Sequence, residues 1–202
     1  MGCDNDLHLA DWNLSLLQQC GLKISRIKNE FVLPEDALDN TRRFLSAQKL
    51  DLLRPILFIQ PFTSSPHKDW PLENFLTLAR YFQSQGVPII FGGGPSDSAT
   101  LEPARTAGFV VSAGASLLNS AGLMKLSSIV VGGVTGLLHL AVAMQRRVMM
   151  LVGHVNEVGF PYQYREWGLN PASGHSVLGI QIPAVMDACS QAFTESTGNV
   201  SC

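Results

Sequence analysis

From residue 55 onward, short unbroken apolar runs alternate with longer amphipathic stretches, and this alternation constrains the fold more than any other feature of the chain. The apolar runs fall at residues 55–60, 87–91, 109–112, 128–131 and 148–152. Their continuity, rather than a polar/apolar alternation, is what strands covered on both faces require. Between them the periodicity predicts helices over residues 72–85, 97–107, 117–126 and 135–144, with a closing helix at 183–194. Strand and helix joined by short connections imply an α/β fold: a parallel sheet with helices on both faces. Such sheets bind ligands at the carboxyl ends of their strands. That rule selects three loops, at residues 61–69, 92–97 and 132–136.

Ahead of this pattern, residues 7–20 and 35–49 read as two helices, the first stopped by Gly21, with an extended piece ending at Phe31-Val32-Leu33. We therefore divide the 202 residues into a helical linker segment, 1–54, packing on an α/β domain, 55–202. A hydrophobic fraction of 46% supports an apolar core, and a formal charge of −2 gives no field for nonspecific binding of nucleic acid. Cys3, Cys20, Cys189 and Cys202 are scattered, without metal-ligand spacing, and the five histidines form no H-x-x-x-H pair. We expect reduced thiols, no metal and no cofactor. No secretory signal opens the chain, and its longest apolar stretches are too short to span a bilayer, so the expected location is cytoplasmic.

Loop 61–69 carries Thr63, Ser64, Ser65 and Lys68 just after a strand. Hydroxyls at a helix entrance and a compact ammonium suit phosphate oxygens, although Ser and Thr also serve simply to close turns. In the loop Gly92-Gly93-Gly94-Pro95-Ser96-Asp97, Asp97 is placed either to accept from ribose hydroxyls or to cap the next helix. The loop is not G-x-G-x-x-G, so the dinucleotide fingerprint is absent and a nicotinamide-dependent dehydrogenase is disfavoured. The third loop is the most informative. Gly132-Gly133 follow a strand, and Thr135-Gly136 open a helix with His139 one turn inside. The unpaired N–H groups and dipole of that helix start favour an anion. His139 is either one end of that site or a satisfied core histidine. No G-x-S-x-G elbow is present to support nucleophilic hydrolysis.

Taken together, HLADWNLSLLQQCGL (8–22), QPFTSSPHKDWPLENFLTLARYF (60–82), the glycine turn, and VVGGVTGLLHLAVAMQRRVMMLVG (130–153) resemble the heptosyltransferase family of glycosyltransferases, which use ADP-heptose to assemble the lipopolysaccharide inner core. The K-x-W-P step and the T-G-x-x-H-L-A-x-A block, at their mutual distance, carry the likeness. The resemblance implies a GT-B architecture, two Rossmann-like domains facing across a cleft, of which this chain would be the donor-binding half. The acceptor-binding domain for a lipid-linked saccharide, with the catalytic base, would lie outside it. Carried over by motif position, Thr63 and Ser64 would contact the diphosphate and Lys68 would neutralise it. Asp97 would hold the ribose, and Thr135, Gly136 and His139 would complete the phosphate end. The family commonly has Asp before the Thr-Gly pair; this chain has Val134. The resemblance also leaves open a noncatalytic nucleotide-sugar-binding module, or the partner subunit of a separately encoded acceptor domain.

Overall fold

A computed structural model describes residues 8–24, 29–153 and 159–198. Among them the chain forms helices α1 (Leu9–Gln19), α2 (Glu35–Ala47), α3 (Leu72–Ser84), α4 (Glu102–Thr106), α5 (Leu117–Leu126), α6 (Gly136–Ala143) and α7 (Ile182–Gly198). Six strands complete the fold: β1 (Leu57–Gln60), β2 (Ile89–Gly93), β3 (Val110–Ala113), β4 (Ile129–Gly133), β5 (Arg147–Leu151) and β6 (Gly168–Leu169). The strands pair in the order β3-β2-β1-β4-β5-β6, and every pairing is parallel. That is the doubly wound, Rossmann-like order. The chain reverses its direction of travel across the sheet between β1 and β4, which are paired in register from Leu57↔Ile129 to Gln60↔Gly132.

Both faces of the sheet are covered, which is why its strands are apolar throughout. On one face Leu57, Ile59, Ile129, Val131, Met149 and Leu151 meet Phe75, Phe82, Val185 and Cys189 of α3 and α7. On the other, Phe58, Val130, Val148 and Met150 meet Leu45 of α2, Leu123 of α5, and Leu138 and Val142 of α6. Adjacent residues of one strand thus feed two separate cores, as the period of two dictates. Gly21 and Gly86 end α1 and α3 with φ of 79° and 78°, the left-handed geometry that favours glycine.

Several boundaries move by one or two residues from expectation, but two differences have physical content. Residues 97–107 do not form one helix: a 3-10 turn, Pro95–Asp97, precedes a five-residue α4 beginning at Glu102. β6 was not legible at all. It is two residues long and pairs only Gly168 and Leu169 with Met150 and Leu151, too short for any periodicity. The extended piece at residues 31–33 joins no strand ladder; Phe31 N–H instead bonds the carbonyl of Ala143 at 2.9 Å. α1 buries none of its residues, and Leu9, Trp12, Leu16 and Leu17 are exposed on it. No helix among the described residues is long and apolar enough to cross a membrane.

Candidate functional site

The loop after β1 is held by its own hydrogen bonds. Thr63 N–H donates to Asp69 Oδ1 at 2.7 Å, and Thr63 Oγ1 both donates to Ser65 O at 3.0 Å and accepts from Ser65 N–H at 3.1 Å. A 3-10 turn, Pro66–Lys68, follows, and Pro71 is the N-cap of α3, one position ahead of its first turn. Trp70 anchors the base: it is fully buried, its Nε1–H donates to Ile180 O at 3.0 Å, and its ring meets Phe75 edge-on at 5.0 Å. Ser64 is left exposed at the tip, and Lys68 is half-buried.

The end of β4 approaches this loop closely. A Cβ on Gly133 would lie 2.8 Å from Thr63 Cγ2 and 3.1 Å from the Lys68 carbonyl oxygen. On Gly132 it would lie 2.4 Å from the Gln60 carbonyl oxygen. The Gly-Gly step therefore admits the β1 loop to the side of β4. Thr135 is the N-cap of α6 in an extended conformation (φ −142°, ψ 155°), with no side-chain cap. Its carbonyl receives Leu138 N–H at 3.1 Å and His139 N–H at 3.2 Å. The N–H groups of Gly136 and Leu137 have no intrahelical acceptor, as at any helix start. Gly136 is exposed, with open space where a Cβ would be. Donors without intrahelical acceptors at a helix N-terminus favour an anion.

Between these two loops lies a cavity of about 150 Å³ whose walls include His67, Lys68, Val134, Gly153 and His175. Lys68 and the residue leading into α6 thus share one recess at the topological switch point. The remaining sequence candidates lie elsewhere. Asp97 is at the end of β2, across β1 from β4. Its Oδ2 accepts Gly94 N–H at 2.7 Å and its Oδ1 accepts from Ser96 Oγ at 3.3 Å, so the carboxylate closes its own turn. His139 does not line the Lys68 recess. It opens on a larger cavity of about 740 Å³ that includes His8, Leu14, Glu30 and Tyr162, with its ring 6.2 Å from that of His8. His8 Nε2 bonds Phe160 O at 2.7 Å and Tyr162 OH donates to Asp11 Oδ1 at 3.0 Å, so this second cavity sits between α1 and the segment after β5.

Three contributors went unread in the sequence. Asp69 organises the β1 loop, a role signalled only by its position six residues after Thr63. His175 and Ser176 reach the recess from an irregular stretch before α7 that carries no motif. Among the described residues, no three His, Cys, Asp or Glu gather as a metal site.

The sequence profile of glycosyltransferase family 9 (heptosyltransferase) matches residues 6–177. No curated protein sequence matches the chain at a significant level. Among solved structures, a family 9 glycosyl transferase from Veillonella parvula superposes with a TM-score of 0.83 at 21% identity, covering 96% of this chain and 62% of its own. The E. coli ADP-heptose lps heptosyltransferase II gives 0.68 at 20% identity, over 87% of this chain and 56% of its own. An E. coli heptosyltransferase solved with ADP gives 0.60 at 21%, over 75% and 48%. At these identities the superpositions establish the shared fold, and the chain spans roughly half to three fifths of each of these proteins. The profile match extends over most of the sequence, and on that ground the chain belongs to glycosyltransferase family 9, the heptosyltransferase family.

Proposed function

We propose that this chain binds the donor of a sugar transfer, ADP-heptose or a related nucleotide sugar, for delivery to a lipopolysaccharide-type acceptor held by a separate domain. One observation carries the reading: Lys68 and Val134, the residue before the N-cap of α6, line a single recess at the carboxyl ends of the strands. A departing nucleoside diphosphate develops charge there, and preoriented donors with a cation stabilise it without reorganising. The attacking acceptor hydroxyl needs a base to take its proton, and inversion follows from attack opposite the diphosphate. We assign that base to the acceptor-binding domain. The reaction so written needs no metal and no cofactor, and the lipid-linked acceptor would bring the protein to the inner face of the cytoplasmic membrane. Thr63 and Ser64 would contact the diphosphate and Asp97 the ribose, through the lone pairs their turns leave open.

A second reading has one observation in its favour. Val134 puts an aliphatic side chain into the recess where the family commonly offers a carboxylate to the sugar, which suits a module that binds nucleotide sugars without transferring them. Calorimetric titration of the 202-residue chain with ADP and ADP-heptose tests the donor site. We expect binding of both, with Lys68→Ala weakening ADP about tenfold, the worth of a hydrogen bond to a charged group. No heat with any nucleotide, or unchanged affinity in Lys68→Ala, would refute the assignment. Transfer activity restored by adding a separately expressed acceptor domain decides between enzyme and module.

A further inference from the structure

β1 ends on a buried polar side chain that the site loops do not explain. Gln60 closes the otherwise apolar strand Leu57–Gln60 and is only 3% exposed. Glycines flank it on both neighbouring strands. Its register partner on β4 is Gly132, where a Cβ would lie 3.2 Å from Gln60 Cβ. On the β2 side a Cβ at Gly92 would lie 2.8 Å from Gln60 Oε1. The two glycines leave the width that a carboxamide needs at the centre of the sheet.

That carboxamide is only half satisfied. Its Nε2–H donates to Phe62 O at 3.2 Å, and because a carbonyl only accepts, the nitrogen is the end that faces it. Oε1 is buried and accepts from no donor among the described residues. An orphaned buried oxygen destabilises the fold, whereas an apolar side chain of similar length would not. The bond that Gln60 does make falls on the chain's exit from β1. Phe62 directly precedes Thr63, whose N–H opens the bonds that shape the Lys68 loop. We infer that Gln60 is a positioning residue of the donor site, holding the Phe62 carbonyl and with it the base of the Lys68 loop, at a cost in stability. This rests on the donor-site reading given above and extends it to a buried side chain.

The test compares wild type, Lys68→Ala, Gln60→Met and Gln60→Leu in the whole chain by thermal midpoint, amide hydrogen exchange and calorimetric titration with ADP. Neither Gln60 replacement carries an N–H donor or an amide oxygen, and Met, unbranched like Gln, decides the matter should Leu fail to fold. We expect the Gln60 variants to melt at or above the wild-type midpoint. Exchange across residues 61–69 should quicken about fivefold and ADP should bind about fivefold more weakly, the worth of one hydrogen bond. Exchange in β4 and α7 should stay as in wild type, because the loop loosens locally. A lowered midpoint with faster exchange throughout makes Gln60 an ordinary core residue and overturns the inference. Unchanged exchange across residues 61–69 overturns it too. Undiminished ADP affinity in Gln60→Met, with Lys68→Ala still weakened, overturns it while leaving the donor site standing. Absence of ADP binding in the wild type overturns the donor site itself and this inference with it.

Discussion

Three alanine substitutions within five residues separate packing from ligand access. In Gly132→Ala the new methyl meets the Gln60 carbonyl oxygen at 2.4 Å, on a strand paired in register with Gln60↔Gly132. Neither backbone can retreat without breaking the central β1–β4 ladder. Overpacking of this kind costs about 1–3 kcal/mol, and the upper end applies because the obstacle is main chain. Gly133→Ala meets the Thr63 methyl at 2.8 Å and the Lys68 carbonyl at 3.1 Å. The methyl can turn away, so about 1–2 kcal/mol is expected, with the β1 loop pushed outward. Gly136→Ala meets nothing within 4 Å and replaces glycine at the first position of a helix, where alanine is better by roughly 0.5–1 kcal/mol.

For a chain of this length each kcal/mol moves the melting temperature by about 2–4 °C. Followed by far-ultraviolet circular dichroism, Gly132→Ala should melt about 6–12 °C below wild type, Gly133→Ala a few degrees below, and Gly136→Ala slightly above. Nucleotide affinity should part company with stability: on the donor-site proposal Gly136→Ala, the stable variant, weakens ADP by crowding an anion at the start of α6. A Gly132→Ala protein as stable as wild type would refute the close approach of loop and strand. A Gly136→Ala protein with undiminished affinity would remove the start of α6 from the site.

Trp70→Phe removes the donor to Ile180 O, leaves that buried carbonyl without its partner, and should cost about 1–3 kcal/mol by urea denaturation, while loosening the recess; a cost near zero would show the brace to be idle. Val134→Asp sets a carboxylate in the recess with Lys68, so ADP affinity should fall several-fold at low salt and recover partly as salt rises, because screening weakens the added repulsion; salt-independent loss would speak for a distorted loop instead. Burial pushes the Cys189 thiol up to about 12 from an ordinary 9.0, so the native thiol stays neutral and should resist alkylation at pH 8 while exposed Cys20 reacts, as peptide mass spectrometry of the labelled chain can read. Because the raised value belongs to the folded state, its contribution is present below pH 9 and is lost as pH climbs toward 12, so Cys189→Ala should flatten the alkaline fall in stability; native labelling of Cys189, or an unchanged alkaline slope, would contradict that burial.

What the sequence disclosed and what it withheld follow from range. The five longer strands were visible because each sits between two cores, which demands an unbroken apolar run, as at Leu57–Gln60 and Ile129–Gly133. β6 has only two residues, and its place is set by β5 beside it rather than by its own composition. Lys68 and Val134 line one recess because both follow strands, and strand ends in a parallel sheet share one edge. Side-chain direction was beyond such reasoning. Position one turn into α6 put His139 near an anion site on paper, yet its ring points to the cavity under α1. Asp97 was open to either capping or ribose binding, and its carboxylate lies on Gly94 N–H. His175 was unreadable because an irregular segment has no period, and its approach to the recess depends on the fit of Gly153 against Val177.

The glycines of the third loop show how one motif divides its labour. Read as a string, Gly132, Gly133 and Gly136 all suggest backbone bared to a ligand. In the folded chain the first two face protein, and each is required to be small by a named atom of the β1 strand or its loop. Only Gly136 faces open space. The pair is what brings the main chain of Lys68 alongside β4, whereas a side chain at Gly136 would meet only open space. On the donor-site proposal, a substitution in the pair would injure binding by moving a wall, and one at Gly136 by crowding the start of α6. On the donor-site proposal a diphosphate would lie between the β1 loop and the start of α6, so both kinds of substitution should be read in ADP affinity.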